Sequence, residues 1–181
     1  MKNFCEKEYT VLIDSTQRDR NLHPSSSDFI VKIDPNDEYT GAILPRKYKN
    51  VKSIELVSAI YPNKNNVLSQ PYLILSIDEL TNGRKLDSTN GLNGFMITPR
   101  IVTTTYLYSY VDEEPSKIFF DFQGKTIEQF TIKLLKSDGS VFSFGTDNNP
   151  PSDVDSGLQT VFKFKIKTME PNMIDNSFPI S

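Results

Sequence analysis

The feature that most constrains this chain is a pair of strong β-strand patterns at residues 51–60 and 72–78. In the first pattern, Ile54, Leu56 and Ile60 fall on one side of an extended chain and Glu55 falls on the other. Alternation with a period of two is typical of a strand with one buried face, because successive side chains point to opposite faces. Two such strands this close together predict an all-β protein in which one sheet packs on another.

Other segments show the same alternation or end at turn-forming residues, which predicts further strands. They are residues 8–14, 28–34, 95–98, 103–111, 117–122, 130–134, 141–144 and 160–168. Residues 126–130 are the one weak helical candidate. A total of about 8–10 strands, some joined by loops too long for tight hairpins, favours a two-sheet antiparallel sandwich of the Greek-key or single jelly-roll type.

The alternation also predicts which side chains form the core and which face solvent. The predicted core contains Ile54, Leu56, Ile60, Phe130, Ile132, Leu134, Phe162, Phe164 and Ile166. Three lysines alternate with the last three of these residues and are predicted to face outward: Lys163, Lys165 and Lys167.

Residues 1–181 are interpreted as one domain, with a short N-terminal segment at 1–7 and a C-terminal arm at 169–181. The arm contains two prolines and spaces Met173, Ile174, Phe178 and Ile180 among polar residues. Because it would expose apolar groups if left free, we predict that it packs on its own domain or on a neighbouring copy. A frayed tail is the alternative.

Composition limits the possible functions. The 20 Lys and Arg residues against 23 Asp and Glu residues give a formal charge of −3, which argues against a direct nucleic-acid surface. The single cysteine, Cys5, has no internal partner, so nothing points to an oxidising compartment. No apolar stretch approaches the roughly 20 residues of a membrane-spanning helix, so no such segment is predicted.

The residues that usually carry catalysis are few. His23 is the only histidine, and a triad with Ser25 and Asp28 is disfavoured because triads normally recruit distant segments. We interpret His23 as a solvated loop residue and Cys5 as an inert thiol without a positioned base. We therefore expect no catalytic residue and no enzyme activity.

Carboxylate pairs occur at residues 78–79 and 113–114. Neighbouring residues on a strand point to opposite faces, so neither pair is expected to converge on a substrate. The loop 147–155 contains three aspartates but lacks the glycine and terminal glutamate of an EF-hand loop. We therefore expect no metal site and no cofactor.

Four blocks, taken in this order, resemble small capsid proteins of large icosahedral double-stranded DNA viruses of the nucleocytoplasmic type. The blocks are residues 14–21 followed by Asp28-Phe29, residues 51–56 with 60–63, residues 72–80, and residues 130–139 followed by 142–145. The resemblance implies a single jelly-roll capsid component and brings no catalytic residues with it. It implies the penton protein at the five-fold vertices, or a minor capsid or cement protein beneath the facets.

The penton role implies that the partners are the chain itself, as a homopentamer, and other capsid proteins including the major capsid protein. The location implied is the virion capsid, after synthesis in the host cytoplasm. The alternative from another class is a carbohydrate- or receptor-binding β-sandwich. Its site would be the Asn-Gly-rich loop 81–94 or the row Tyr106, Tyr108 and Tyr110, whose amphipathic rings suit a core rim or an interface.

Candidate inter-subunit contacts lie near both ends of the sequence. Residues 14–20 hold two arginines beside two aspartates and have almost no apolar side chains to bury. Such a loop becomes ordered when charge-assisted hydrogen bonds fix it, so we predict mutual pairing or contact with a neighbouring subunit. The candidate contacts are Arg18, Asp19, Arg20, Phe178 and Ile180.

Overall fold

The computed structural model describes residues 4–34, 38–80, 91–99, 106–110, 117–120, 125–149 and 152–171, with the backbone alone for 106–110. Its strands are β1 Phe4–Asp14, β2 Asp28–Ile33, β3 Ala42–Leu44, β4 Tyr48–Pro62, β5 Leu73–Ile77, β6 Phe95–Ile97, β7 Tyr106–Tyr110, β8 Lys117–Phe119, β9 Lys125–Ile127, β10 Gln129–Leu135 and β11 Val161–Pro171. Single 3₁₀ turns occupy Ser15–Gln17, Val67–Ser69, Asp78–Leu80 and Ser156–Leu158. Within these ranges, no helix is long and apolar enough to cross a membrane.

The strands form two sheets. The first sheet has the order β1-β11-β4-β7, and β8 and β9 also pair with β4. The second sheet has the order β3-β2-β10-β5-β6. Every pair is antiparallel except β2 with β3, which is parallel. The prediction of an all-β protein with two sheets is therefore confirmed.

The strand count differs from the prediction, because the described residues contain eleven strands. The sequence pattern missed two short strands, β3 and β9. Three residues are too few to show alternation, and β3 exists because it pairs with Val31, Lys32 and Ile33 of β2. The predicted strand at 141–144 is wrong, because these residues contribute only the isolated bridge between Val141 and Leu135.

One hydrophobic core lies between the two sheets and draws on strands from both. At its centre the ring of Phe164 contacts Phe95 edge-on at 5.8 Å between centroids and lies 6.3 Å from Phe130. Eight of the nine predicted core residues are buried, with Ile60 as the exception. The lysines of β11 face outward as predicted, and β11 lies between β1 and β4 in the first sheet.

Ile60 is only partly buried because β4 contains a bulge at Val57. Leu56 pairs with Phe164 and Ser58 pairs with Lys163, so Val57 is the extra residue. An extra residue reverses which side chains face the core. Ala59 is therefore buried beyond the bulge, although the uninterrupted pattern assigned that face to Ile60.

Both terminal strands are longer than the sequence pattern predicted. Residues 4–7 belong to β1 and residues 169–171 belong to β11, because the ladder between the two strands continues to the pair Phe4 and Pro171. Cys5 is accordingly a half-buried free thiol within β1. The remainder of the predicted arm, residues 172–181, lies outside the described residues.

The helical candidate at 126–130 is wrong. These residues form the end of β9, a break at Glu128 and the start of β10. β9 pairs with β4, and the carbonyl of Glu128 accepts a hydrogen bond from the N–H of Ile33 at 2.8 Å. Sheet pairing with two partners therefore overrides a weak local preference.

The bulge at Val57 predicts different costs for two alanine substitutions on β4. Leu56→Ala should lower the free energy of unfolding by about 2–5 kcal/mol, because it leaves a cavity in the core. Ile60→Ala should cost only about 1 kcal/mol, because the side chain is partly solvated. Urea denaturation of both variants measures the difference. Equal losses of unfolding free energy would mean that the side chains of β4 alternate without interruption through Val57.

Candidate functional site

Three connections meet at one end of the two sheets, which we call the loop end: residues 15–27, 63–72 and 136–160. The strand register brings them together, because Asp14 at the end of β1 pairs with Val161 at the start of β11. Val161 in turn pairs with Ile60 near the end of β4. Loops this long usually remain mobile unless specific contacts hold them, so the contacts among them decide what this end can do.

Arg18 is the centre of the loop end. Its side chain has no solvent exposure. Its Nε donates to the carbonyl of His23 at 2.8 Å, Nη1 donates to the carbonyl of Ser15 at 2.8 Å and to Gln159 Oε1, and Nη2 donates to the carbonyl of Pro24 at 3.0 Å. The guanidinium therefore satisfies backbone acceptors that the irregular loop 15–27 leaves without strand partners.

Asp147 supplies the opposing charge from the third loop. Its Oδ2 accepts hydrogen bonds from Arg20 Nε at 3.3 Å and from Gln159 Nε2 at 2.8 Å, and it lies 4.0 Å from Arg18 Nη2. Arg20 also donates from Nη2 to the carbonyl of Thr16 at 2.6 Å. A buried carboxylate with this many donors holds the loop 136–160 against the loop 15–27.

Further hydrogen bonds extend the same connection. Ser15 Oγ donates to Gln159 Oε1 at 3.0 Å and accepts from the N–H of Thr160 at 2.8 Å. Thr160 Oγ1 donates to the carbonyl of Ser26 at 2.9 Å. The loop 63–72 joins through Asn65, whose Nδ2 donates to the carbonyl of Ser143 at 2.8 Å. All three loops are therefore held together by polar contacts.

Burial lowers the pKa of Arg18 to about 10, and the charge of Arg20 acts in the same direction while Asp147 opposes it. A pKa of about 10 leaves Arg18 charged at neutral pH. The buried group thus carries two positive charges and one negative charge, and four backbone carbonyls partly offset the excess. The arrangement fixes the backbone of the loop 15–27, and each guanidinium nitrogen of Arg18 has at least one hydrogen-bond acceptor.

Three buried hydroxyls in this region have no hydrogen-bond partner among the described residues: Ser26, Ser27 and Tyr61. The Tyr61 ring stacks on Phe144 at 6.0 Å between centroids, and burial raises the pKa of its hydroxyl above the usual range. An unpaired buried hydroxyl costs free energy, so the packing around Tyr61 is maintained by its ring.

The candidate contact residues have distinct positions. All the hydrogen bonds of Arg18 and Arg20 described above stay within the chain. Asp19 is half-buried, and its carboxylate accepts from the N–H groups of Asn21 and Leu22 and from the hydroxyl of Thr40. An inter-subunit role for these three residues stays a prediction. Phe178, Ile180, most of the loop 81–94 and the side chains of the tyrosine row lie outside the described residues.

The loop residues considered for catalysis are not arranged as a triad. In the described loop no hydrogen bond joins the side chains of His23, Ser25 and Asp28; Ser25 Oγ accepts instead from the N–H of Ser27 at 3.2 Å. Of the residues that the structure describes, no three His, Cys, Asp or Glu side chains are placed to hold a metal ion.

Asp78 and Glu79 lie in the 3₁₀ turn Asp78–Leu80 and not on a strand, so the alternation assumed from the sequence does not apply. Both side chains bind residues of β10. Asp78 pairs with Lys133 at 2.6 Å. Glu79 accepts from the N–H and hydroxyl of Thr131, both at 2.7 Å, and from Gln129 Nε2 at 2.9 Å. Burial raises the pKa of Glu79, but these hydrogen bonds outweigh it and lower the pKa below its usual value. Glu79 therefore anchors the chain where it enters the loop 81–94.

A second charged region covers the outer face of the first sheet. Glu6 on β1 pairs with Lys52 at 2.6 Å and Lys167 at 2.8 Å. Glu8 lies 3.7 Å from both Lys165 and Lys167. Two of the three lysines of β11, Lys165 and Lys167, are thus matched by glutamates of the neighbouring strand, whereas Lys163 lies opposite Leu12.

The sequence pattern did not identify Asp147 and Gln159 as the partners of the arginines. They lie more than a hundred residues further along the chain, and only the pairing of β1 with β11 brings them close. The available signal was indirect: two arginines in a loop with almost no apolar residues required acceptors from elsewhere.

No protein-family model matches this chain, and no curated protein matches it in a sequence search.

Replacing Arg18 tests the importance of the loop-end contacts. Arg18→Met should lower the free energy of unfolding by about 3–5 kcal/mol, because it leaves Asp147 and several carbonyls buried with fewer donors. Arg46→Met is the matched control, since Arg46 is exposed and stacks on the ring of Tyr9 at 4.7 Å; it should cost about 0.5–1 kcal/mol. Similar losses in urea denaturation would contradict the role assigned to Arg18.

Glu6 predicts a specific acid sensitivity. Hydrogen bonds from Lys167 and Lys52 lower its pKa from 4.5 to about 2. Because the folded-state pKa lies below the unfolded one, its stabilising contribution is present above pH 4.5 and is lost as the pH falls towards 2. The urea midpoints of the wild-type chain and Glu6→Gln should therefore differ at pH 6 and converge near pH 2.

Glu128→Gln, at an exposed position, is the control for removing a carboxylate as such. A gap between wild type and Glu6→Gln that stays constant from pH 6 to pH 2 would show that Glu6 does not titrate in this way.

Proposed function

We propose that this chain is a structural virion protein, a single jelly-roll capsid protein that forms the penton at five-fold vertices. Its partners are further copies of itself and the neighbouring capsid proteins, including the major capsid protein. A minor capsid or cement role beneath the facets uses the same fold and is the nearest alternative. The resemblance of four ordered sequence blocks to capsid proteins supports this class.

The observation that carries the proposal is the pairing of the strands. A jelly roll is a long antiparallel hairpin of eight strands rolled into two sheets. Its first strand therefore pairs with its last, its second with its seventh, and so on inward. Here β1 pairs with β11, β2 with β10, β4 with β7, and β5 with β6. All four pairs are antiparallel, and they alternate between the two sheets. This pattern supports a jelly roll with three short additional strands, β3, β8 and β9.

The loop end supports an assembling role. A closed ring repeats one heterologous contact, so each subunit must present a patch and its complement at a fixed angle. Loops held by Arg18, Asp147 and Gln159 keep a fixed shape, which suits a contact surface better than mobile loops would. Leu22 on this end is 70% exposed and offers an apolar group for such a contact.

The outer face of the first sheet supports protein partners over nucleic acid. Nucleic-acid surfaces usually present a stripe of basic residues. Two of the three basic residues of β11, Lys165 and Lys167, are offset by Glu6 and Glu8 within 4 Å. A face with matched charges avoids strong repulsion from like copies and does not attract a polyanion strongly.

The test is whether the purified full-length chain forms a closed five-membered ring. Native mass spectrometry gives the number of copies, and negative-stain electron microscopy gives the symmetry. Leu22→Ser should reduce the ring population, because a large apolar side chain contributes about 1.5–3 kcal/mol when it becomes fully buried. Ile43→Ser, also at an exposed position but on β3, should leave the ring population unchanged.

A cryo-electron microscopy map of the virion then distinguishes the roles. Density for this chain at the five-fold vertex supports the penton role, and density beneath the facets supports the cement role. A chain that stays monomeric at all concentrations and binds specific glycans on an array would contradict a capsid function and favour the carbohydrate-binding alternative.

A further inference from the structure

The first strand forms a long edge of the first sheet. β1 has 11 residues and pairs with β11 along its whole length without a register shift. In the described part of the chain, no strand pairs with the other side of β1. A strand edge of this length exposes a row of N–H and C=O groups that can pair with another extended segment.

The hydrogen bonds show which residues of β1 face this open edge. The N–H of Ser15, just beyond the strand, donates to the carbonyl of Thr160 at 2.9 Å, so Ser15 faces the β11 side. Backbone groups of successive residues in an antiparallel ladder turn to opposite sides. The even-numbered residues of β1 therefore direct their N–H and C=O groups to the open edge, and these include Glu6, Glu8 and Thr10.

The usual protections of an edge strand are weak here. Proteins protect edges with prolines, bulges, short strands or unpaired charges. β1 contains no proline and no bulge, and the charges of Glu6 and Glu8 are matched by lysines within the same sheet. Phe4 and Leu12, towards the two ends of the strand, are 52% and 61% exposed.

The sequence contains a segment with matching properties directly after β11. Residues 172–181 span ten positions and extend to at most about 33–36 Å, close to the length of β1. In an extended conformation Ile174, Phe178 and Ile180 fall on one face. Pro179 would then take one of the alternate positions, whose N–H groups turn away from the paired strand. Proline is tolerated at such positions because it has no N–H to donate.

We propose that residues 172–181 of one copy add a strand to the open edge of β1 in a second copy. The apolar face of the segment then lies beside Phe4 and Leu12. These two residues are even-numbered, like the other residues of β1 that face the open edge. This inference does not depend on the number of copies in the assembly or on a capsid role.

The position of Pro171 favours a second copy over the same chain. Pro171 ends β11 opposite Phe4, and β11 runs antiparallel to β1, so the chain leaves past the start of β1. To reach the open edge of its own β1, the segment would have to reverse direction and cross the end of that strand. Two strand spacings of about 4.8 Å must be crossed before pairing begins. A second copy can be placed so that the segment continues along its β1 without this reversal.

Photocrosslinking of the full-length chain tests the proposal. A benzophenone side chain replaces that of Phe178, and copies with light and heavy isotopes are mixed before illumination. The expected product joins position 178 of one isotope to residues 4–14 of the other. Crosslinks to residues 4–14 within the same copy would overturn the exchange between copies. The absence of crosslinks to residues 4–14 would overturn docking on β1.

Two substitutions at one position provide the matched comparison. Thr10→Pro removes an N–H that faces the open edge but no hydrogen bond to β11, whereas Thr10→Ala keeps that N–H. Loss of the hydrogen bond and of close strand approach should lower the crosslink yield by about tenfold in Thr10→Pro, and Thr10→Ala should keep it. Far-ultraviolet circular dichroism verifies that both variants are folded. Equal yields in two folded variants would contradict strand addition.

Discussion

The structure depends on the buried contact between the arginines of one loop and the carboxylate of another. Arg18 and Arg20 lie in the connection that follows the first strand, and Asp147 lies in the connection that precedes the last strand. These two strands are partners in the sheet, so the contact closes the loop end above the β1–β11 ladder. Burying charges is costly unless each is paired and hydrogen-bonded, and here the backbone carbonyls complete the pairing. The same charges therefore hold the loops 15–27 and 136–160 in one arrangement.

Regular strands were predictable from the sequence because their alternation is a local property. Phe130, Ile132 and Leu134 are buried as their spacing indicated, and so are Phe162, Phe164 and Ile166. The position of Ile60 was not predictable, because the bulge at Val57 arises from the register with β11. The partners of Arg18 were not predictable for a similar reason, since they come from a distant loop. Local pattern thus determined the faces of the strands, and long-range pairing determined the exceptions.

The two charged regions contribute in different ways. The loop-end group is shielded from solvent, so salt screens its interactions much less than those of exposed pairs. The ion pairs on the outer face of the first sheet, such as Glu6 with Lys167, are solvated and individually weak. Their main effect is to balance charge across neighbouring strands. The proposed assembly would use both properties, because rigid contacts fix geometry and balanced faces reduce repulsion.

The length of β4 has a consequence for how this protein can vary among related sequences. With 15 residues, β4 pairs with β11 along one side and with three separate short strands, β7, β8 and β9, along the other. Each short strand occupies its own section of β4, so a change in the chain between two of them need not alter the register of either. The entropy cost of a longer connection grows only slowly with its length. Insertions and deletions between β7 and β9 should therefore accumulate in evolution, while β4 and β11 keep constant length.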